Sequence, residues 1–83
     1  MKREKLVSEL VNFCDTYKLI ENFENLGMAK DRIEQQMDSS EFVEGLIHFL
    51  IVRTKNNKDI DTGKLITILI ELEKIRLNLE YNG

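Results

Sequence analysis

The chain has no proline and no tryptophan, and it holds one cysteine, one histidine and four glycines in 83 residues. Without proline, no residue in the chain is barred from a helix interior. One cysteine, Cys14, cannot form an internal disulfide, and its neighbours Leu10, Val11 and Phe13 mark it as a small core residue. Asp15 beside it disfavours a reactive thiolate. Long hydrophobic runs are also missing. The longest, Leu46 to Val52, spans seven residues and contains His48, far short of the roughly 20 that a membrane span needs. Lys2, Arg3 and Lys5 resemble the start of a targeting segment, but Glu4, Ser8 and Glu9 interrupt the apolar stretch that such a segment requires. The chain is therefore expected in the cytoplasm.

What is present is a balance of 42% hydrophobic and 33% charged residues, the composition of a helical globular domain. Residues 1–83 are read as a single helical domain. One core of this size is marginal unless its helices pack closely or a second subunit adds buried surface, so a homodimer is expected. The net charge of −3 opposes approach to a phosphate backbone, and nucleic acid is not the expected partner. Charge is also uneven along the chain. Between Glu9 and Leu50 nine residues are acidic and three basic, whereas Arg53, Lys55, Lys58 and Lys64 gather about the last loop.

Apolar spacing predicts the helices. A first helix from about Lys2 places Leu6, Leu10, Phe13 and Tyr17 on one side, widened by Val7, Val11 and Cys14. Ile20, Phe23 and Leu26 drift around the axis, so this helix kinks or restarts near Asp15 and Thr16, and Gly27 is expected to end it. Ala29 to Met37 reads as a short, exposed helix. Asp38 with Glu41 has the layout of a capping box, opening a helix from about Ser40 to Lys55. Its apolar set, Phe42, Val43, Leu46, Ile47, Phe49, Leu50 and Ile51, covers about half the circumference and predicts a central helix with neighbours on two sides. After a polar loop, Asp61 or Thr62 caps a final helix. The expected fold is all-α: a small antiparallel bundle of three long helices plus one short helix, similar to a four-helix bundle. A β-hairpin from Ile47–Thr54 and Leu65–Leu72 is the competitor, and the failure of strict alternation in both segments argues against it.

Several fragments imitate active-site motifs. Asp61-Thr62-Gly63 spells the aspartic-protease triplet, but it leads into a helix instead of a tight loop of a β-rich fold. Thr62-Gly63-Lys64 lacks the earlier glycine of a phosphate-binding loop, Lys58 standing in its place. Asn57, Asp59 and Asp61 alternate like calcium ligands, yet Thr62 and Ile68 occupy the glycine and glutamate positions. His48 has Glu44 one turn before it and no nucleophile nearby. No catalytic, cofactor-binding or metal-ligating set is assigned.

The strongest signal lies in the last helix, where apolar side chains form two stripes. Leu65, Ile68, Leu69, Leu72, Ile75 and Leu79 fall on one side, while Ile66, Ile70, Leu77 and Tyr81 fall nearly opposite. Two stripes imply two partners. The first is the chain's own core, and the second is a candidate protein-contact face. The expected function is accordingly non-enzymatic: self-association, or binding and regulation of a partner protein, through this face. Glu73 and Glu80 border the second stripe, so residues 29–37 are an alternative cover for it.

From Phe42 to Ile75 the chain resembles, in architecture, the bacteriocin immunity proteins of Gram-positive bacteria, in particular the enterocin A type. The resemblance rests on the run Leu46-Ile47-His48-Phe49-Leu50-Ile51, the loop around Thr54-Lys55-Asn56-Asn57-Lys58, and the helix carrying Leu69-Ile70-Glu71-Leu72. It implies a small cytoplasmic antiparallel four-helix bundle that recognises a bacteriocin-bound membrane receptor. The likeness covers under half of the chain, the segment before Met37 departs from the family's long second helix, and no functional residue is carried over. A third reading is a phage- or plasmid-type DNA-binding regulator with a helix-turn-helix in Ala29 to Lys55. Glu41, Glu44 and His48 on the outer side of its second helix argue against that reading.

Overall fold

A computed structural model describes residues 1–20 and 26–82. The all-α class holds: four helices follow one another, α1 (Arg3–Thr16), α2 (Leu26–Gln36), α3 (Ser40–Thr54) and α4 (Thr62–Asn82), and no strand occurs among the described residues. The alternative β-hairpin is thereby excluded. Contacts divide the chain into two compact units, Met1–Gln36 and Met37–Gly83.

In the first unit α1 packs against α2. Leu6, Val7, Leu10, Val11, Phe13 and Cys14 are all buried, as their three-and-four spacing predicts, and Tyr17 is half-buried with its ring 4.8 Å from that of Phe13. The helix ends where the apolar stripe begins to drift. Lys18 adopts a left-handed conformation with φ 52°. Its N–H donates to the Asp15 carbonyl at 3.2 Å, and the Leu19 N–H donates to the Cys14 carbonyl at 2.9 Å. That pair of bonds is the Schellman arrangement, which satisfies carbonyls a helix end would otherwise leave open.

Gly27 consequently does not end this helix. It sits in the first turn of α2 with no positive φ, and α1 is already closed by Lys18 and Leu19. Ile20 is exposed, and the expected drift positions Phe23 and the Leu26 side chain lie outside the described residues. Within α2, Ala29 and Ile33 are half-buried, and Met37 just beyond it is fully buried. The short helix expected at 29–37 is therefore real and begins three residues earlier.

In the second unit α3 packs against α4. Ser39, not Asp38, is the N-cap of α3: its Oγ accepts from the Phe42 N–H at 3.3 Å. Glu41 then falls in the first turn, where the helix dipole favours a carboxylate, but not at the position a reciprocal capping box needs. The buried line of α3 is Val43, Leu50 and Thr54, with Ile47 half-buried between them. Thr54 is a polar side chain in an apolar seam, and its hydroxyl is satisfied by donating to the Leu50 carbonyl at 2.6 Å. The facing line of α4 is Leu65, Ile68 and Leu72, continued by half-buried Ile75 and Leu79. Both lines alternate in steps of three and four, the periodicity of one face of a helix packed against a neighbour. Each fully buried Leu or Ile contributes roughly 1.5 to 3 kcal/mol relative to exposure.

The wide apolar face expected of α3 holds at Phe42, Val43, Leu46, Ile47, Phe49 and Leu50, which are buried or half-buried, and fails at Ile51. Ile51 and Val52 are 51% and 54% exposed: Ile51 lies about 70° from the seam through Val43, Ile47, Leu50 and Thr54, and Val52 lies nearly opposite it. The connection to α4 is polar and self-bonded. The Asn57 N–H donates to the Thr54 carbonyl at 3.1 Å, and the Asp59 N–H donates to Asn57 Oδ1 at 2.9 Å.

Candidate functional site

The four residues of the second stripe all lie on α4, and all are exposed: Ile66 by 49%, Ile70 by 50%, Leu77 by 39% and Tyr81 by 84%. Their steps of four, seven and four keep them within about 60° of one another around the axis. Along the axis they extend roughly 22 Å at 1.5 Å per residue. The sequence places these residues together, and the helix keeps them so.

Why α4 begins where it does fixes the phase of this stripe. Asp61 Oδ1 accepts from the Lys64 N–H at 3.1 Å and its carbonyl accepts from the Leu65 N–H at 3.0 Å, so Asp61 is the cap. The protease-like triplet is thus the start of a helix, and Asp61 is committed to backbone donors. Thr67 adds a hydroxyl bond to the Gly63 carbonyl at 3.0 Å.

Charged side chains edge the apolar stripe on both flanks. On one, Arg76 lies between Glu73 and Glu80: its Nε donates to Glu73 Oε2 at 3.1 Å, a second nitrogen donates to the other Glu73 oxygen, and Nη1 donates to Glu80 at 2.7 Å. The hydrogen bond from Arg76 holds the Glu73 carboxyl below its ordinary range, and the same pairing raises the guanidinium pKa. On the other flank Lys74 reaches Glu71 at 3.4 Å. Pairs of this kind on an exposed helix are screened by solvent and contribute little to stability, so they orient the rim more than they hold the fold.

The remaining candidates do not converge on chemistry. His48 is exposed on α3, and no ion pair joins it to Glu44 or Glu41 among the described residues. Cys14 is buried, and burial pushes its thiol up to about 11, away from thiolate reactivity. Among the described residues no group of three or more His, Cys, Asp or Glu could hold a metal ion, and no helix is long and apolar enough to cross a membrane.

The sequence missed Ile51 and Val52, which it assigned to the interior or left unassigned. The missed signal is Thr54: once it is taken as a seam position with Val43, Ile47 and Leu50, Ile51 and Val52 fall outside. Val52 and Arg53 line one side of an open depression completed by Asn56, Asn57, Lys58 and Asp59. Its walls are loop amides and charges. The Arg53 guanidinium stands 5.5 Å over the Phe49 ring. No family model, no curated protein and no solved structure matches this chain.

Proposed function

We propose that this protein acts by protein contact, without chemistry of its own, and that the outer face of α4 formed by Ile66, Ile70, Leu77 and Tyr81 is the contact surface. One observation carries the reading: three aliphatic side chains and a tyrosine share one exposed face of a single helix. Aligned exposed apolar residues with a polar rim mark interaction surfaces. Burying each would contribute roughly 1.5 to 3 kcal/mol before the costs of association. The outward carboxylates of α3, Glu41 and Glu44, favour a protein partner over a phosphate backbone. The cytoplasm is the compartment that goes with this reading.

Ile70→Glu tests it, because the residue is half exposed and its replacement leaves the Leu65, Ile68 and Leu72 seam intact. Circular dichroism should show parental helicity, and denaturation at concentrations where the chain is monomeric should show stability within about 0.5 kcal/mol of the parent. Association, measured as mass in solution and as binding to cellular partners, should fall. Unchanged association in both measurements would remove α4 as a contact surface.

A further inference from the structure

We propose that the occupant of this face is a second copy of the same chain, lying antiparallel, with the twofold axis passing between Glu73 and Lys74. The inference rests on the contact reading above and specifies its partner. Ile66 and Tyr81 stand equally far from that point along the helix, and so do Ile70 and Leu77. Reversing the chain about it therefore returns the apolar stripe onto itself. Ile66 meets Tyr81 of the copy, and Ile70 meets Leu77. A closed twofold interface requires this self-complementarity, in which the same patch serves both subunits.

The charges have the same symmetry. A twofold perpendicular to two antiparallel helices sets each flank beside the same flank of the copy. On one flank, Glu73 and Arg76 lie on opposite sides of the axis level. On the other, Glu71 and Lys74 do. Reversal brings Glu73 alongside Arg76 of the copy and Glu71 alongside Lys74 of the copy, each about 3 Å apart along the axis at 1.5 Å per residue. Glu73 and its copy on one flank, and Lys74 and its copy on the other, come nearest the axis level; Arg76 bonded to Glu73 and Glu71 bonded to Lys74 place the opposite charge beside each like pair. Glu80, bonded to Arg76, adds a further acid to the first flank, so the paired helices carry four acids and two bases on that flank and two acids and two bases on the other.

The experiment combines solution mass with site-directed disulfides in the full chain, Cys14 being buried and retained. Sedimentation of the parent should give twice the chain mass, and I70E should raise the dissociation constant by about tenfold or more, since each copy loses one buried side chain. I66C mixed with Y81C should form the mixed disulfide. Neither variant should link to itself, because like positions stand about 22 Å apart across the axis, beyond disulfide reach. Self-linked I66C overturns the antiparallel arrangement, and a dimer indifferent to I70E overturns the face. A parent monomeric at every soluble concentration overturns the second copy. If I70E nonetheless weakens partner binding by that monomer, the contact reading stands without this inference; if it does not, both fall.

Discussion

The Leu19 N–H donates to the Cys14 carbonyl at 2.9 Å, and this bond closes α1 around a lysine in a conformation that usually belongs to glycine. Lys18 holds φ 52° so that Leu19, 7% exposed, can turn back into the interior. A left-handed backbone costs an L residue roughly 1 to 2 kcal/mol. Lys18→Gly removes that strain at the expense of some unfolded-state entropy. The expected net result is a gain of about 0.5 to 1 kcal/mol, read as a higher denaturation midpoint at unchanged slope.

Cys14 makes stability depend on pH at the alkaline end. Its folded thiol titrates at about 11 against 9.0 when free, so the fold favours the protonated form. That contribution is complete below pH 9.0 and is lost as pH rises toward 11. The loss should be on the order of 2 kcal/mol in the parent, and Cys14→Ala should lack it in denaturation curves compared across the same pH range. Alkylation of the native parent should be slow and become fast in denaturant.

The helix caps are separable by single substitutions. Ser39→Ala should cost about 1 kcal/mol, because it strands the Phe42 N–H at the start of α3. Asp61→Ala should cost a similar amount through the Lys64 N–H. Loss of protection in the first turn of the affected helix, measured by amide hydrogen exchange, would locate each effect.

The two sides of α4 should respond unequally to truncation. Leu72 is fully buried and Ile66 is half exposed. At concentrations where the chain is monomeric, Leu72→Ala should destabilise by roughly 2 to 5 kcal/mol, whereas Ile66→Ala should stay within about 0.5 kcal/mol. Equal losses in thermal denaturation would mean that the outer stripe is covered in the folded monomer.

Much of this arrangement is written locally. The spacing of Leu6, Leu10 and Phe13, and of Leu65, Ile68 and Leu72, fixes helix and buried face together, because a period of 3.6 residues admits no other element. The same arithmetic identifies Ile66, Ile70, Leu77 and Tyr81 as a separate face before any neighbour is known. Asp61 as a cap follows from its type and its place before the apolar repeat.

Other features were settled only by the folded chain. Whether Asp38 or Ser39 caps α3 depends on which backbone turns extended, and both side chains suit the role. Lys18 stops α1 because burying Leu19 stabilises a backbone that lysine alone disfavours, a case of packing overriding local preference. Thr54 joins the seam of α3 that faces α4, while Ile51 and Val52 stay exposed outside it. Hydrophobicity shows that a side chain gains from burial, and the number and position of packed neighbours decide which side chains are buried.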